Sequence, residues 1–201
     1  MWDLFLSLKG LFVLVIVIQG IKMPEKLYQV DINDIPSGFV YSDELYCQKA
    51  RHRVSHALVF DEFGNLLLQQ RSTSKKFCPL HWSSSAQGHV RFGETYEGAA
   101  KREAKEELGI IITPILFSKF LYLSDIEKFV GVCIAQNYSG DLTLNKKEVE
   151  RCETVPIRRL EDFLADKQIH PEFILILKEF LPTHDQRIKN LIEKNSQLCS
   201  S

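Results

Sequence analysis

The apolar positions of this chain change rhythm several times. Residues 4 to 21 (LFLSLKGLFVLVIVIQGI) are apolar almost without interruption. From Tyr28 to Ile32 (YQVDI) apolar and polar residues alternate, the rhythm of a half-buried first strand. Asn33-Asp34 and Pro36-Ser37-Gly38 are turn residues that end it. Arg51-His52-Arg53 leads into Val54 to Phe60, a β-branched and aromatic run that predicts a buried strand. Asp61 to Asn65 is the turn, and Leu66 to Arg71 (LLLQQR) is the returning strand. Ser72 to Pro79 is a polar, lysine-bearing loop, and Trp82 to Ala86 a short serine-rich strand. In the second half, Pro114 to Leu123, Phe129 to Tyr138 and Thr154 to Ile157 predict strands, with a charged loop from Asn145 to Glu150. Leu160 to Ala165 and Glu172 to Leu181 predict helices, the second with an apolar seam at Phe173, Leu175, Leu177 and Phe180.

Between these halves lies Gly88 to Ile110, GHVRFGETYEGAAKREAKEELGI, which has turn glycines, a charged amphipathic helix and a glycine stop. At about 100° per residue, Glu103, Glu106 and Glu107 fall within one arc of roughly 100°. Ala99, Ala100 and Ala104 flank the arc and let the helix lie close to a sheet, while Glu97, Lys101 and Lys105 point to solvent. Gly109 stands where a left-handed C-cap belongs, and Pro114 follows. Strands on both sides of a central helix, with further helices at the end, predict an α/β sandwich around a mixed sheet.

Composition narrows the function. The 201 residues are 45% hydrophobic and 25% charged with a net charge of −1, which suits one globular domain. No basic excess exists to hold a nucleic-acid polymer. Cys47, Cys78, Cys133, Cys152 and Cys199 are odd in number and scattered, which implies a reduced, cytoplasmic protein without a disulfide framework or zinc knuckle. Leu11 to Ile18 is short for a membrane span and Lys9 interrupts the run before it. Residues 1–26 are therefore expected to be a hydrophobic extension, from a misplaced start or an anchor; residues 27–181 are the domain and 182–201 a polar, helical tail. Membrane contact is expected only if residues 4–21 are an anchor, and a homodimer is allowed for.

The carboxylate arc is unfavourable by itself. Glu103 and Glu107 are like charges at i,i+4. At roughly 5 Å and an effective dielectric near 20, each close pair repels by about 3 kcal/mol. Arg102 can offset part of this through Glu106 or Glu94. A hard divalent cation such as Mg²⁺, which favours a few carboxylates plus phosphate oxygens, is the simplest remaining remedy. Three carboxylates alone would read as an ordinary solvated helix face.

The spacing around them reverses that reading. Gly88, five residues, Glu94, seven residues, Arg102-Glu103-Ala104, one residue, Glu106-Glu107, one residue, Gly109-Ile110: this resembles the signature of the Nudix hydrolases at every fixed position. The resemblance covers roughly Tyr28 to Leu181 and implies a Nudix-type α-β-α sandwich. It implies that Glu94 and Arg102 form an ion pair holding loop to helix. Glu103, Glu106 and Glu107 would hold Mg²⁺, with Mn²⁺ as a substitute, and the Gln87 carbonyl and Glu148 or Glu150 would complete the site. Glu103 is the first choice of general base. The implied activity is hydrolysis of a diphosphate linkage in a nucleoside diphosphate derivative or related organic diphosphate.

A second set of residues, His52, Arg71, Ser74-Lys75-Lys76, Pro79, Trp82 and Gly88-His89, resembles the type I isopentenyl diphosphate isomerases, which share that fold. There the positions matching Arg71 and Lys75 hold the diphosphate, and those matching His52 and His89 bind metal. In this chain His52 is expected beside the substrate and His89 beside the metal. The isomerases' catalytic cysteine falls at Gln87, a further metal histidine falls near Leu45, and their signature is degraded where this one is intact. The expectation is thus a hydrolase of the isomerase-like branch. An isomerase, or a non-catalytic binding module on the same fold, is the alternative.

Overall fold

In a computed structural model, residues 23–178 are described. The apolar run at 4–21, the tail at 182–201 and the end of the last expected helix, with Phe180 and Leu181, lie outside the described residues. The elements are β1 (Lys26–Val30), β2 (Pro36–Tyr41), α1 (Leu45–Gln48), β3 (His52–Asp61), β4 (Asn65–Arg71), β5 (Trp82–Ser83), β6 (Ala86–His89), α2 (Tyr96–Leu108), β7 (Ile115–Tyr122), β8 (Lys128–Tyr138), β9 (Val149–Pro156) and α3 (Leu160–Leu164). A further helix, α4, occupies 171–178. No helix among the described residues is long and apolar enough to cross a membrane.

Among the described residues, seven strands form one mixed sheet and β1–β2 a separate two-stranded one. β3 runs through the middle of the larger sheet. One of its neighbours is β8, parallel to it from His52↔Lys128 to Val59↔Ala135, and β7 runs antiparallel to β8. The antiparallel partners of β3 are shared. The Asp61 carboxylate closes the β3–β4 turn by accepting from the Phe63 and Asn65 amides at 2.9 and 2.8 Å. The hairpin then pairs only at Val59↔Leu67 and Phe60↔Leu66 before the strands part. The segment 82–89 fills the opening. β5 pairs with β4, and β6 with β3.

Small polar residues make that wedge fit. Ser83, Ser84 and Ser85 are fully buried. Where the strands part, the Ser85 hydroxyl accepts from Val59 N at 2.8 Å and donates to Leu67 O at 2.5 Å. One side chain thereby replaces the ladder bond that the fork removes, and two buried backbone groups stay paired.

The strand pleat separates two apolar layers. Ala57, Val59, Leu67 and Cys133 face Ala99, Ala100, Ala104 and Leu108 of α2. Leu58, Phe60, Leu66 and Val132 face Leu160, Phe173 and Ile176 of α3 and α4. This is the α/β sandwich around a mixed sheet that the pattern predicts.

Some boundaries differ, because pairing with a distant strand overrides local pattern. Pro36-Ser37-Gly38 opens β2 instead of turning. The turn is tighter and earlier: Asp31 Oδ1 accepts from Asn33 N and Ile35 N at 2.8 and 2.9 Å. Pro36 is tolerated because it starts the strand. β9 begins at Val149, ahead of Thr154, because β4 pairs with it from Arg71↔Val149 to Asn65↔Pro156. Gly88 and His89 belong to β6, so the glycine at 88 stands in a strand and not in a turn. In α4 the buried position is Ile176, three after Phe173, and not Leu175.

Ser85→Ala keeps the volume and strands one amide and one carbonyl in the core. We expect a loss of about 2 kcal/mol or more of stability in urea denaturation. A loss within error of zero would show that the fork needs no bridge.

A candidate active site between the forked strands and the carboxylate helix

α2 is held at both ends by local chemistry. Thr95 caps its start by accepting from Gly98 N at 3.1 Å, and Gly109, at φ +75°, closes its end. The fully buried alanines bring the helix close to the sheet, so the carboxylates on that side are carried inward. Glu103 and Glu107 are 9% and 4% exposed; Glu106 remains half-exposed. Gly88 is required by this approach. A Cβ there would lie 2.0 Å from Glu103 Oε1.

Arg102 ties the group together. Its Nε and Nη2 donate to the two Glu94 oxygens at 2.8 and 3.0 Å, and Nη2 also donates to His89 O at 2.8 Å. Its Nη1 reaches Glu103 Oε1 at 2.5 Å and Glu106 Oε2 at 3.4 Å. The Glu94–Arg102 pair is thus present, and the same guanidinium serves both glutamates of the arc as well. Among the described residues, Glu107 has no such hydrogen-bonded cation. Its Oε2 accepts from Gln69 Nε2 at 2.9 Å and from Gln87 N at 3.1 Å, both neutral donors. Burial pushes the Glu103 carboxyl up against the pull of Arg102, and burial together with Glu103 pushes Glu107 up.

These groups open on a cleft of about 700 Å³. Glu103, Glu106, Glu107, Gln87, His89, His52, Arg71, Lys75 and Glu148 all line it. Arg71 is mostly buried and donates to the carbonyls of Cys78 and Phe77 at 3.2 and 3.0 Å. Lys75 forms an ion pair with Glu148. The His52 and His89 rings stand 5.4 Å apart, edge to face. Burial, and then His89, pushes the His52 imidazole down to about 3, so it is neutral, with Nδ1 3.1 Å from Ala50 O. Gln87 lies opposite His56 in the β3–β6 pair, and its side chain accepts from Ser83 Oγ.

Sequence reasoning misses other cleft residues. Glu25, outside the expected boundary at 27, takes both Arg91 Nη2 and Nε on Oε1, at 2.7 and 3.0 Å, and faces His89 Nδ1 at 3.4 Å with Oε2. His89 and Arg91 hold its carboxyl down to about 2 against its burial. His56, Lys128, His170 and Glu172 also line the cleft. No periodic pattern singles them out, since they come from three separated elements.

The donor set fits a hard divalent cation. It is all oxygen around the helix arc, and Glu107 is buried beside a second carboxylate with only neutral partners. Among the described residues no three His, Cys, Asp or Glu side chains are grouped as a ready-made cage. A few carboxylates acting together with substrate oxygens need none.

A family model described as the NUDIX domain matches residues 50–175. The chain is 36% identical over 128 residues to an uncharacterised Nudix hydrolase of Listeria monocytogenes, covering 62% of this chain and 75% of that protein. It is 32% identical over 128 residues to an uncharacterised Nudix hydrolase of Yersinia pestis, covering 61% and 70%. It is also 38% identical over 100 residues to isopentenyl-diphosphate Delta-isomerase 2 of Photorhabdus laumondii, covering 50% of this chain and 56% of that one. Among solved structures, it resembles the DR0079 protein of Deinococcus radiodurans with a TM-score of 0.63 at 24% identity, covering 74% of this chain and 94% of that one. It resembles a MutT protein of Methanosarcina mazei with a TM-score of 0.53 at 22% identity, covering 67% and 93%. These structural likenesses show the fold.

The raised carboxyls set a pH dependence. Both bind protons more tightly folded than unfolded, so their contribution is fully present below the unfolded value, about 4.3, and is lost as pH rises toward neutrality and beyond. In EDTA, Glu107→Gln should melt several degrees above the parent at about pH 8 and close to it at about pH 5. Equal melting of the two proteins at the higher pH would mean that Glu107 is not strained by its neighbours.

Proposed function

This chain belongs to the Nudix family, and from that membership we propose a Mg²⁺-dependent hydrolase of a diphosphate linkage in a nucleoside diphosphate derivative or related organic diphosphate. The observation that carries the reading is the burial of Glu103 and Glu107 side by side in the cleft that Arg71 and Lys75 also line. Acid side chains suited to a cation and basic side chains suited to phosphate thus share one space.

In this reading Glu103, Glu106 and Glu107 hold the ion, with Gln87, His89 and Glu148 as further donors. A bound divalent ion neutralises diphosphate oxygens and lowers the pKa of a water. Arg71 and Lys75 grip the phosphates, Lys75 being oriented by Glu148. His52, neutral and buried with its Nδ1–H on the Ala50 carbonyl, presents Nε2 as an acceptor and brings no charge. Glu103 is the proton acceptor we favour, because burial raises its proton affinity toward working pH while Arg102 fixes its position. Glu94 holds Arg102, and so the loop, in register with the helix. Gln87 speaks against the isomerase alternative. An amide neither gains nor loses a proton at working pH, so it cannot move one on an allylic carbon.

The test is a broad panel of diphosphates with Mg²⁺, scoring released phosphate or phosphomonoester against isomerised product. Glu103→Gln and Glu107→Gln should each lower turnover by about a hundredfold or more with unchanged circular dichroism. Near-normal turnover of both variants would remove the carboxylate arc from the reaction. Solvent deuterium entering isopentenyl diphosphate with the unmodified protein would replace the hydrolase reading by the isomerase one.

Arg71 and Lys75 should differ in what a charge-keeping change costs. Arg71 presents a fork whose other nitrogens are already fixed by two carbonyls, whereas Lys75 presents a point charge. Arg71→Lys is expected to raise KM several-fold more than Lys75→Arg, with kcat little changed. Alanine variants with the parent's KM would show that neither residue touches phosphate.

A further inference from the structure

One wall of the cleft is polar, buried and unused by this chemistry. Glu172 and His170 come from the start of α4 and the residues before it, His56 from β3, and Lys128 from the first residue of β8. Glu172 Oε2 lies 3.0 Å from His56 Nε2, and its Oε1 accepts from Lys128 Nζ at 2.7 Å. His56 Nδ1 faces Ser84 Oγ at 2.9 Å. His56 and Lys128 keep the Glu172 carboxyl well below the usual range in spite of its burial. His170 and Glu172 are 3% and 4% exposed, and both line the cleft. Among the described residues, His170 Nδ1 is buried with no hydrogen-bond partner. Its ring stands 5.5 Å from that of Phe77, whose carbonyl accepts from Arg71. The wall therefore adjoins the proposed phosphate grip.

An unpartnered buried nitrogen is costly, and such groups in folded proteins call for an explanation. A hydrocarbon seated against this wall would leave His170 Nδ1 without a partner and shut the spare Lys128 protons away from water for as long as it stayed. A hydroxyl both donates and accepts, and so can meet a carboxylate, an ammonium and an imidazole nitrogen together. We propose that Glu172, Lys128 and His170 form the subsite for the group attached to the diphosphate, and that they select a group bearing hydroxyls, a sugar or other polyol, over a hydrocarbon. The inference rests on the diphosphate-hydrolase reading above and adds the residues that choose among its substrates. His56 and Ser84 are positioning residues for Glu172.

The test measures binding apart from turnover. Calorimetric titration of the full chain in Ca²⁺ gives affinities for ADP-ribose, UDP-glucose, isopentenyl diphosphate and inorganic pyrophosphate. Initial rates with Mg²⁺ give turnover. The parent should bind one of the two sugar diphosphates about thirtyfold or more tighter than isopentenyl diphosphate. His170→Phe should cut that ratio by about tenfold or more, while His170→Gln, which restores a polar partner, keeps most of it. Melting curves show whether each variant is folded, and the parent's own ratio decides the matter if His170→Phe is not. A purely structural role for His170 would weaken sugar diphosphates and pyrophosphate by the same factor, and that result overturns the proposal. So does a parent that binds isopentenyl diphosphate as tightly as either sugar diphosphate, or that binds neither sugar diphosphate. Binding that depends on His170 without any hydrolysis would sink the hydrolase reading and leave the subsite. Hydrolysis indifferent to the attached group would do the reverse.

Discussion

The constraint on which this structure turns is the burial of two like charges side by side. Glu103 and Glu107 are carried into the interior because α2 lies on the sheet through alanines, and the two acids share the inward side of the helix with them. Carboxylates so placed repel, and loss of hydration adds to the cost. The surroundings are built to contain it. Arg102 answers Glu103 and Glu106 while it anchors Glu94, Gly88 surrenders the space a side chain would take, and Gln69 and the Gln87 amide orient Glu107. None of these partners is a full counter-charge for Glu107. The remaining imbalance is what makes the arc fit a cation, whereas a fully neutralised cluster would be only a clamp.

The fork in the sheet makes this containment geometrically available. Had β3 and β4 stayed paired along their length, Gln69 would have no reason to meet Glu107 and Gln87 would have no strand to stand on. Because they part after the hairpin, β6 enters beside β3 and brings Gln87, Gly88 and His89 to the helix, while β4 brings Gln69 to Glu107 and Arg71 to the cleft. The serines are small enough for the wedge and polar enough to pair what the fork leaves open. Fold and site are thus one problem. The irregularity that weakens the sheet is the one that admits the functional residues.

What could be read from the sequence follows from this. The helix with its glycine stop, the β3–β4 hairpin and the alanine-flanked carboxylates are local features, in which the spacing of neighbours carries the information. The Glu94–Arg102 pair was legible too, although Arg102 turns out to serve Glu103 and Glu106 in the same stroke. The misses are non-local. Pro36 looks like a turn until β1 claims it, and Val149 looks like loop until β4 pairs with it. Glu25 lies before the first alternating stretch and earns its place only through His89 and Arg91. His56, Lys128 and Glu172 are single polar residues in or beside apolar runs, and only the folded sheet brings them together.

The same non-local cluster bears on the kinship with the isomerases. Two departures from them were visible along the chain, Gln87 in place of a thiol and Leu45 in place of a histidine. Either could be a tolerated loss. The cleft adds a departure of another kind, a gain. Among the described residues, one of its walls carries a buried carboxylate, an ammonium and an unpartnered imidazole nitrogen. A pocket that only had to enclose a hydrocarbon would be better served by apolar side chains, because every buried polar atom left without a partner works against binding. A wall that keeps such atoms in spite of their cost is matched to a ligand that can satisfy them. The absent thiol removes the means of moving a proton on carbon, and the polar wall removes the advantage of a hydrocarbon substrate. The two observations share no residue, and both support the proposed hydrolysis of a hydroxyl-bearing diphosphate over isomerisation.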